Sequence, residues 1–176
     1  MSSVPERPSD DSAADAEALV AMLFHAEAAR LVHLARFFVD DRTAAEDLVQ
    51  EGFIRLARSA SRIRDPSRAA AYLRSIVINL ARDHNRRGLV SLRHRPPADL
   101  DDRSAEDHAT HREDQRQVIA ALRGLPRRQR DCVALRYYMD LPIAEIAETL
   151  GLSPNSVKTH LQRGLRALAL VLEGVR

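Results

Sequence analysis

Residues 141–168 read LPIAEIAETLGLSPNSVKTHLQRGLRAL, and their pattern decides the fold. Ile143, Ile146, Ala147 and Leu150 recur at helical spacing after Pro142. Gly151-Leu152 predicts a tight turn, because glycine tolerates left-handed backbone and Leu152 can fill the angle between two helices. Ser153-Pro154 is an N-cap followed by proline at the first helical position. Val157, Leu161, Leu165, Leu168 and Leu172 then form one apolar face. Helix, glycine turn and capped second helix make a helix-turn-helix, whose second helix can enter a DNA major groove. Asn155, Ser156, Lys158, Thr159, Gln162 and Arg163 lie outward near its start. All six can hydrogen-bond base edges or phosphates, and none is acidic. The alternative is a helical hairpin with a solvated polar face. Such faces usually mix signs, whereas this one has no acidic residue before Glu173.

Working backwards, a helix is expected over about Arg127 to Met139, preceded by Val118, Ile119 and Leu122 and a break at Gly124-Leu125-Pro126. Residues 89–114 carry Pro96-Pro97, seven acidic residues and no apolar period, which predicts a linker. Asp65-Pro66 predicts another capped start, and that helix runs to about Arg87 and stops at Gly88. Its core stripe is Leu73, Ile76, Val77 and Leu80, with Tyr72, Ser75, Asn79, Asp83 and Arg86 on another side. Thr43 and Glu46 have the spacing of a capping box, opening a helix to about Arg58. There Ala45, Leu48, Val49, Gly52, Phe53 and Leu56 face inward, and Asp47, Gln50, Glu51, Ile54, Arg55 and Arg58 face outward. Leu19, Met22, Leu23, Leu31, Leu34 and Phe38 predict a first helix from Asp15 to about Val39. Residues 1–14 read as a disordered tail.

The 176 residues fit one ordinary domain or two small ones. Aromatics at 4% and the absence of Trp argue against an all-β fold. One cysteine excludes an internal disulfide framework and a multi-Cys zinc site. No signal peptide is apparent and no apolar run approaches 18 residues, which predicts a cytoplasmic chain with no membrane insertion. Charge alternates along the chain. Residues 1–54 carry net −7, residues 55–95 net +9, residues 96–114 net −5 and residues 115–176 net +5. Nearly every cation is Arg, Lys158 being the one Lys. A basic block this dense seeks a polyanion, and Arg suits bidentate phosphate and guanine contacts.

These segments together resemble a bacterial RNA polymerase sigma factor of the sigma-70 family, extracytoplasmic-function (ECF) group. AAEDLVQEGFIRLAR (Ala44–Arg58) resembles the family's polymerase-binding segment, and AYLRSIVINLARDHNRR (Ala71–Arg87) its melting and −10-recognition segment. Leu125–Leu168 resembles its −35-binding domain. The resemblance implies an all-α chain of two small helical domains, 15–88 and 115–176, joined by a flexible acidic linker, 89–114. It implies core polymerase as partner, through the β′ coiled coil and the β flap, with promoter DNA, duplex and single-stranded, and an anti-sigma factor. Asp47, Gln50, Glu51, Ile54 and Arg55 would meet the polymerase. Arg62, Ile63, Tyr72, Arg74, Asn79, Arg82, Asp83, Arg86 and Arg87 would meet the −10 element, with Asn79 beside a pocket for a flipped base. Asn155, Ser156, Lys158, Thr159, Gln162 and Arg163 would read the −35 element. The family often has Trp where this chain has Tyr72, so stacking, worth roughly 1–3 kcal/mol per base, rests here on few aromatics. The elements lie roughly 70 Å apart. A linker of 26 residues reaches about 90 Å when extended.

Other signals are weaker. His108 and His111 alone make a poor metal site, and neither a metal nor any other cofactor is expected. Cys132, in a helical run beside Val133, reads as an inert buried thiol. No Ser/His/Asp set, phosphate-cradling glycine loop or paired-carboxylate spacing appears, so no catalytic residue is expected. Two rivals remain: a regulator that binds DNA by the helix-turn-helix alone, and an anti-sigma or adaptor protein that works through protein contacts.

Overall fold

The computed structural model describes residues 10–39, 41–91 and 109–173. Among these every regular element is helical, as the low aromatic content and helical periodicity require. The helices are α1 (Asp10–Arg36), α2 (Arg42–Ser59), α3 (Ala69–Ser91), α4 (Ala109–Gly124), α5 (Arg127–Val133), α6 (Ile143–Leu150) and α7 (Pro154–Glu173).

Helices α1–α3 form a first module. Leu31, Leu34, Val49, Leu56, Leu73 and Val77 are buried where the three meet. Gly52 lets α2 and α3 approach closely: a Cβ there would lie 2.8 Å from Val77 Cγ2. Helix α1 starts at Asp10, inside the stretch read as a tail, and residues 1–9 lie outside the described residues. Over Ala14–Arg36 it is long and apolar enough for a membrane span, contrary to the sequence reading. It serves instead as a core helix, with Leu23, Leu31, Leu34 and Ala35 buried. Met22 is a correction, because it stands 58% exposed rather than in the core.

The start of α2 also differs. Asp41, not Thr43, is its N-cap, and its carboxylate accepts from the Thr43 and Ala44 amides. Glu46 pairs with Arg42 at 2.7 Å instead of reaching back to Thr43. An aspartate carboxylate two residues earlier satisfies the free amides at least as well as a threonine hydroxyl. The Asp65 cap stands: it accepts from the Ser67 amide and hydroxyl, with Pro66 at the first helical position. Pro66–Arg68 forms a 3₁₀ turn before α3, and α3 continues past Gly88 to Ser91.

Helices α4–α7 form the second module. Helix α4 begins at Ala109, inside the expected linker, while residues 92–108 lie outside the described residues, Asp107 and His108 among them. The side chain of His111 also lies outside them. The helix expected over 127–139 is α5 followed by a π-type turn, Ala134–Tyr138, with the Met139 amide donating to the Ala134 carbonyl. The helix-turn-helix is as read. Gly151 has φ +62°, Leu152 packs partly buried against the core, and Ser153 Oγ accepts from the Ser156 amide. The apolar face of α7 is Val157, Leu161 and Leu168, but Leu165 is 40% exposed. Gly164 takes the contact position, where a Cβ would meet Val133 Cγ2 at 2.8 Å.

Cys132 is fully buried, and desolvation, then the neighbouring Asp131 carboxylate, pushes its thiol up to about 11. At pH 8 the thiolate fraction is therefore roughly a hundredfold below that of an ordinary thiol. A disulfide reagent should label the native chain at least a hundredfold slower than the urea-unfolded chain. Equal rates would contradict the burial.

The two modules pack against each other. Their buried apolar side chains form one continuous cluster, and α3 lies against α6. At the end of α1, the Phe37 ring meets Tyr138 edge-on at 4.8 Å, and the Arg130 guanidinium lies 4.9 Å from the Phe38 ring centre.

Candidate nucleic-acid and polymerase interface

The outward face of α2 carries Asp47, Gln50, Ile54 and Arg55 exposed, with Glu51 partly so. Arg55 Nε donates to Glu51 Oε1 at 2.7 Å, one turn back along the helix. Between these charges Ile54 is 41% exposed, an apolar side chain on an otherwise polar surface. Such a face suits a protein partner that covers the isoleucine and leaves the charges at the rim.

The basic helix splits its residues between two environments. Arg62, Ile63 and Tyr72 come together with Ser59, Arg64, Asp65, Arg68, Ala71 and Ser75 around a cavity of about 580 Å³. The loop before α3 makes one wall and the first turns of α3 the other. Tyr72 is 45% exposed at its mouth, and the Ser75 hydroxyl donates to the Tyr72 carbonyl at 2.7 Å. Asp65 is held below the usual carboxylate range by the Ser67 hydroxyl and amide, with Arg68 adding to the effect. Asn79 lies one turn beyond Ser75, exposed and outside the cavity lining; its Oδ1 accepts from Arg82 Nη1 at 2.9 Å. Arg86 is exposed and paired with Asp83. The side chain of Arg87 lies outside the described residues.

Arg74 and Arg82 are placed differently from the open phosphate contacts expected of them. Arg74 is buried, with Nη2 at 2.9 Å from Glu27 of α1 and Nη1 at 3.0 Å from Glu145 of α6. Arg82 pairs with the fully buried Asp131 of α5. Burial pushes Asp131 up and Arg82 down, each against the pull of the other's charge. Arg68 pairs with Glu148 of α6, which also lines the cavity and raises the Arg68 guanidinium. The sequence reading missed Arg68, which ends the 3₁₀ turn just before α3, although the Asp65-Pro66 cap marks it as part of that helix start. It could not find Asp131, Glu145 and Glu148, whose partners lie 49 to 80 residues away.

On α7, Asn155, Lys158, Thr159, Gln162 and Arg163 are exposed and Ser156 is partly so, all in the first three turns. The Thr159 hydroxyl donates to the Asn155 carbonyl, and Ser153 and Ser156 share a hydroxyl contact at the cap. Lys158, Gln162 and Arg163 are thus all exposed on the first three turns of α7.

The chain thus joins a three-helix module that carries an arginine-lined cavity to a helix-turn-helix module. Residues 23–88 match the family model of sigma-70 region 2, and residues 115–168 that of sigma-70 region 4. The chain is 31% identical over 172 residues to the ECF RNA polymerase sigma factor SigL of Mycobacterium tuberculosis, covering 95% of this chain and 96% of the relative. It is 33% identical over 143 residues to the RNA polymerase sigma-E factor of Streptomyces avermitilis, covering 81% and 79%. The fold matches that of CnrH, solved in complex with the cytosolic domain of CnrY, with a TM-score of 0.72 at 24% identity over 93% of this chain and 96% of that one. It also matches RpoE of Bartonella quintana, solved with the anti-sigma factor NepR, with a TM-score of 0.63 at 17% identity over 96% and 100%. The chain belongs to the sigma-70 family, in its ECF group, and is a promoter-directing transcription initiation factor.

Proposed function

We propose that residues 15–88 bind core polymerase and open the −10 element, that residues 115–176 bind the −35 element, and that residues 89–114 link them. The cavity between the Ser59–Asp65 loop and α3 carries this reading. Its volume of about 580 Å³ falls within the roughly 300–1,000 Å³ range of small-molecule pockets. Flipping a base costs a few kcal/mol. A hydrogen bond from Arg62, one accepted by the Ser75 hydroxyl, and stacking on Tyr72 offset that cost. Arg64 and Arg68 lie beside the cavity for the flanking phosphates.

The β′ coiled coil would cover Ile54 on α2, with Asp47, Gln50, Glu51 and Arg55 around it, and the β flap would hold the second module. The chain acts on cytoplasmic polymerase and supplies no catalytic group; the chemistry of RNA synthesis belongs to the polymerase. A protein partner of the anti-sigma kind is part of the proposal: the Bartonella RpoE is solved with the anti-sigma factor NepR, and CnrH with the cytosolic domain of CnrY.

At −35, Arg163 makes the bidentate base contact, with Lys158 and Gln162 beside it. Arg163→Ala should weaken promoter use by about 1–3 kcal/mol, roughly five- to 150-fold, and relax specificity at one base pair. The assay uses promoters found by mapping transcription starts after overexpression of the chain. Wild-type transcript levels and base preference in the variant would refute the role.

A further inference from the structure

The cavity between the Ser59–Asp65 loop and α3 has a one-sided set of polar groups. Its serine and aspartate oxygens are acceptors. Ser75 Oγ donates its proton to the Tyr72 carbonyl at 2.7 Å, and Ser59 Oγ donates to the Arg55 and Leu56 carbonyls at 3.0 Å, so both keep only lone pairs for a ligand. Asp65 accepts only as well, because the Ser67 hydroxyl and amide, with Arg68, hold its carboxyl ionised. Both Ser67 groups donate to Asp65 Oδ1, the hydroxyl at 2.6 Å and the amide at 3.0 Å, and Oδ2 has no hydrogen-bond partner among the described residues. The donors are guanidinium groups. Arg68 is taken by Glu148, whereas Arg62 has no ion pair among the described residues.

We propose that this cavity selects cytosine as the flipped base of the −10 element, and that Asp65 is the residue that decides the choice. The inference rests on the reading of the cavity as a flipped-base site. Along its pairing edge cytosine presents one amino donor, N4, and two acceptors, N3 and O2. Asp65 Oδ2 accepts from N4, and the Arg62 guanidinium donates to N3 and O2. One acceptor followed by two donors is the pairing edge of guanine, which Asp65 and Arg62 together reproduce. Ser75 Oγ accepts the second N4 hydrogen, and Tyr72 stacks on the ring.

The other bases fit this set less well. Thymine sets O4 against the carboxylate and its N3 hydrogen against the guanidinium, acceptor on acceptor and donor on donor. Guanine needs two acceptors for its N1 and N2 hydrogens, and Asp65 Oδ1 is already committed to Ser67. Adenine offers its N6 amino group and N1, but a C–H at position 2 leaves one guanidinium donor unpaired. A site built to hydrogen-bond a polar group rejects an analogue lacking it, because the site's own groups are left without partners. The backbone fixes both deciding residues. Arg62 ends the 3₁₀ turn Ala60–Arg62, and Asp65 caps the 3₁₀ turn Pro66–Arg68 three residues later.

The test is transcription by core polymerase carrying the full chain, on a mapped promoter with all four bases placed in turn at each −10 position. The wild-type chain should prefer cytosine over thymine at one position by at least about tenfold. Asp65→Asn keeps an N-cap acceptor for Ser67 and puts an amide donor where Oδ2 stood. In that variant the preference for cytosine over thymine should fall at least about tenfold at this position alone, with the −35 dependence unchanged. Arg62→Gln, at an exposed site, should narrow the lead of cytosine over adenine at the same position. An unchanged ratio in Asp65→Asn, or a preferred base other than cytosine at the position that Tyr72→Ala disturbs, would overturn the proposal and leave the flipped-base reading standing. If Tyr72→Ala disturbs no −10 position, that reading falls and the proposal with it.

Discussion

Glutamate in place of Ile54 should weaken binding to core polymerase about thirtyfold, roughly 2 kcal/mol. Ile54 is 41% exposed and outside the buried core, so little in the free chain depends on its packing. A covered apolar anchor inside a rim of charges is the kind of residue that dominates an interface. A glutamate there would be buried against the partner without a counter-charge. The melting temperature of the free chain should not move, because exposed substitutions usually stay within about 0.5 kcal/mol. Ile54→Ala should fall between wild type and Ile54→Glu. Wild-type affinity in the glutamate variant would remove α2 from the polymerase contact.

The second large effect concerns Arg74 and Glu27. Both side chains are more than nine-tenths buried. Arg74→Met should destabilise the chain by about 3–5 kcal/mol, because it leaves Glu27 buried without its partner. Glu27→Met should cost less, since Arg74 keeps Glu145, whose side chain is 47% exposed and can follow it. The double replacement, Glu27→Met/Arg74→Met, should return to within about 1–2 kcal/mol of wild type, since apolar side chains of similar volume need no hydration. Chemical denaturation of the four proteins closes the cycle. Additive losses in the double variant would mean that the two residues do not act as a pair.

The helix-turn-helix was readable because its signals are local: a glycine at the turn, a serine cap and proline at the next position, each fixing the backbone of its own neighbours. The Asp65 cap and the core stripe of α3 were readable for the same reason. Thr43 misled because Asp41, two residues earlier, competes for the same amides and carries a full charge. Leu165 misled because α5 packs on α7 at Gly164, one position round the helix, and period alone does not reveal a neighbour's position. Arg74 and Arg82 were visible as arginines on a basic helix. What they touch was not, because Glu145 and Asp131 lie far along the chain and acidic residues there are indistinguishable from solvated ones. The packing of one module on the other is therefore the part of the structure that local pattern could not supply.

Run-off transcription with purified core polymerase, with and without this chain, on the mapped promoters decides whether the chain directs initiation. Transcripts should arise from the mapped start sites only when the chain is present, and should be lost when either the −10 or the −35 sequence is scrambled. Start sites unchanged by the chain, or insensitive to both sequences, would contradict it.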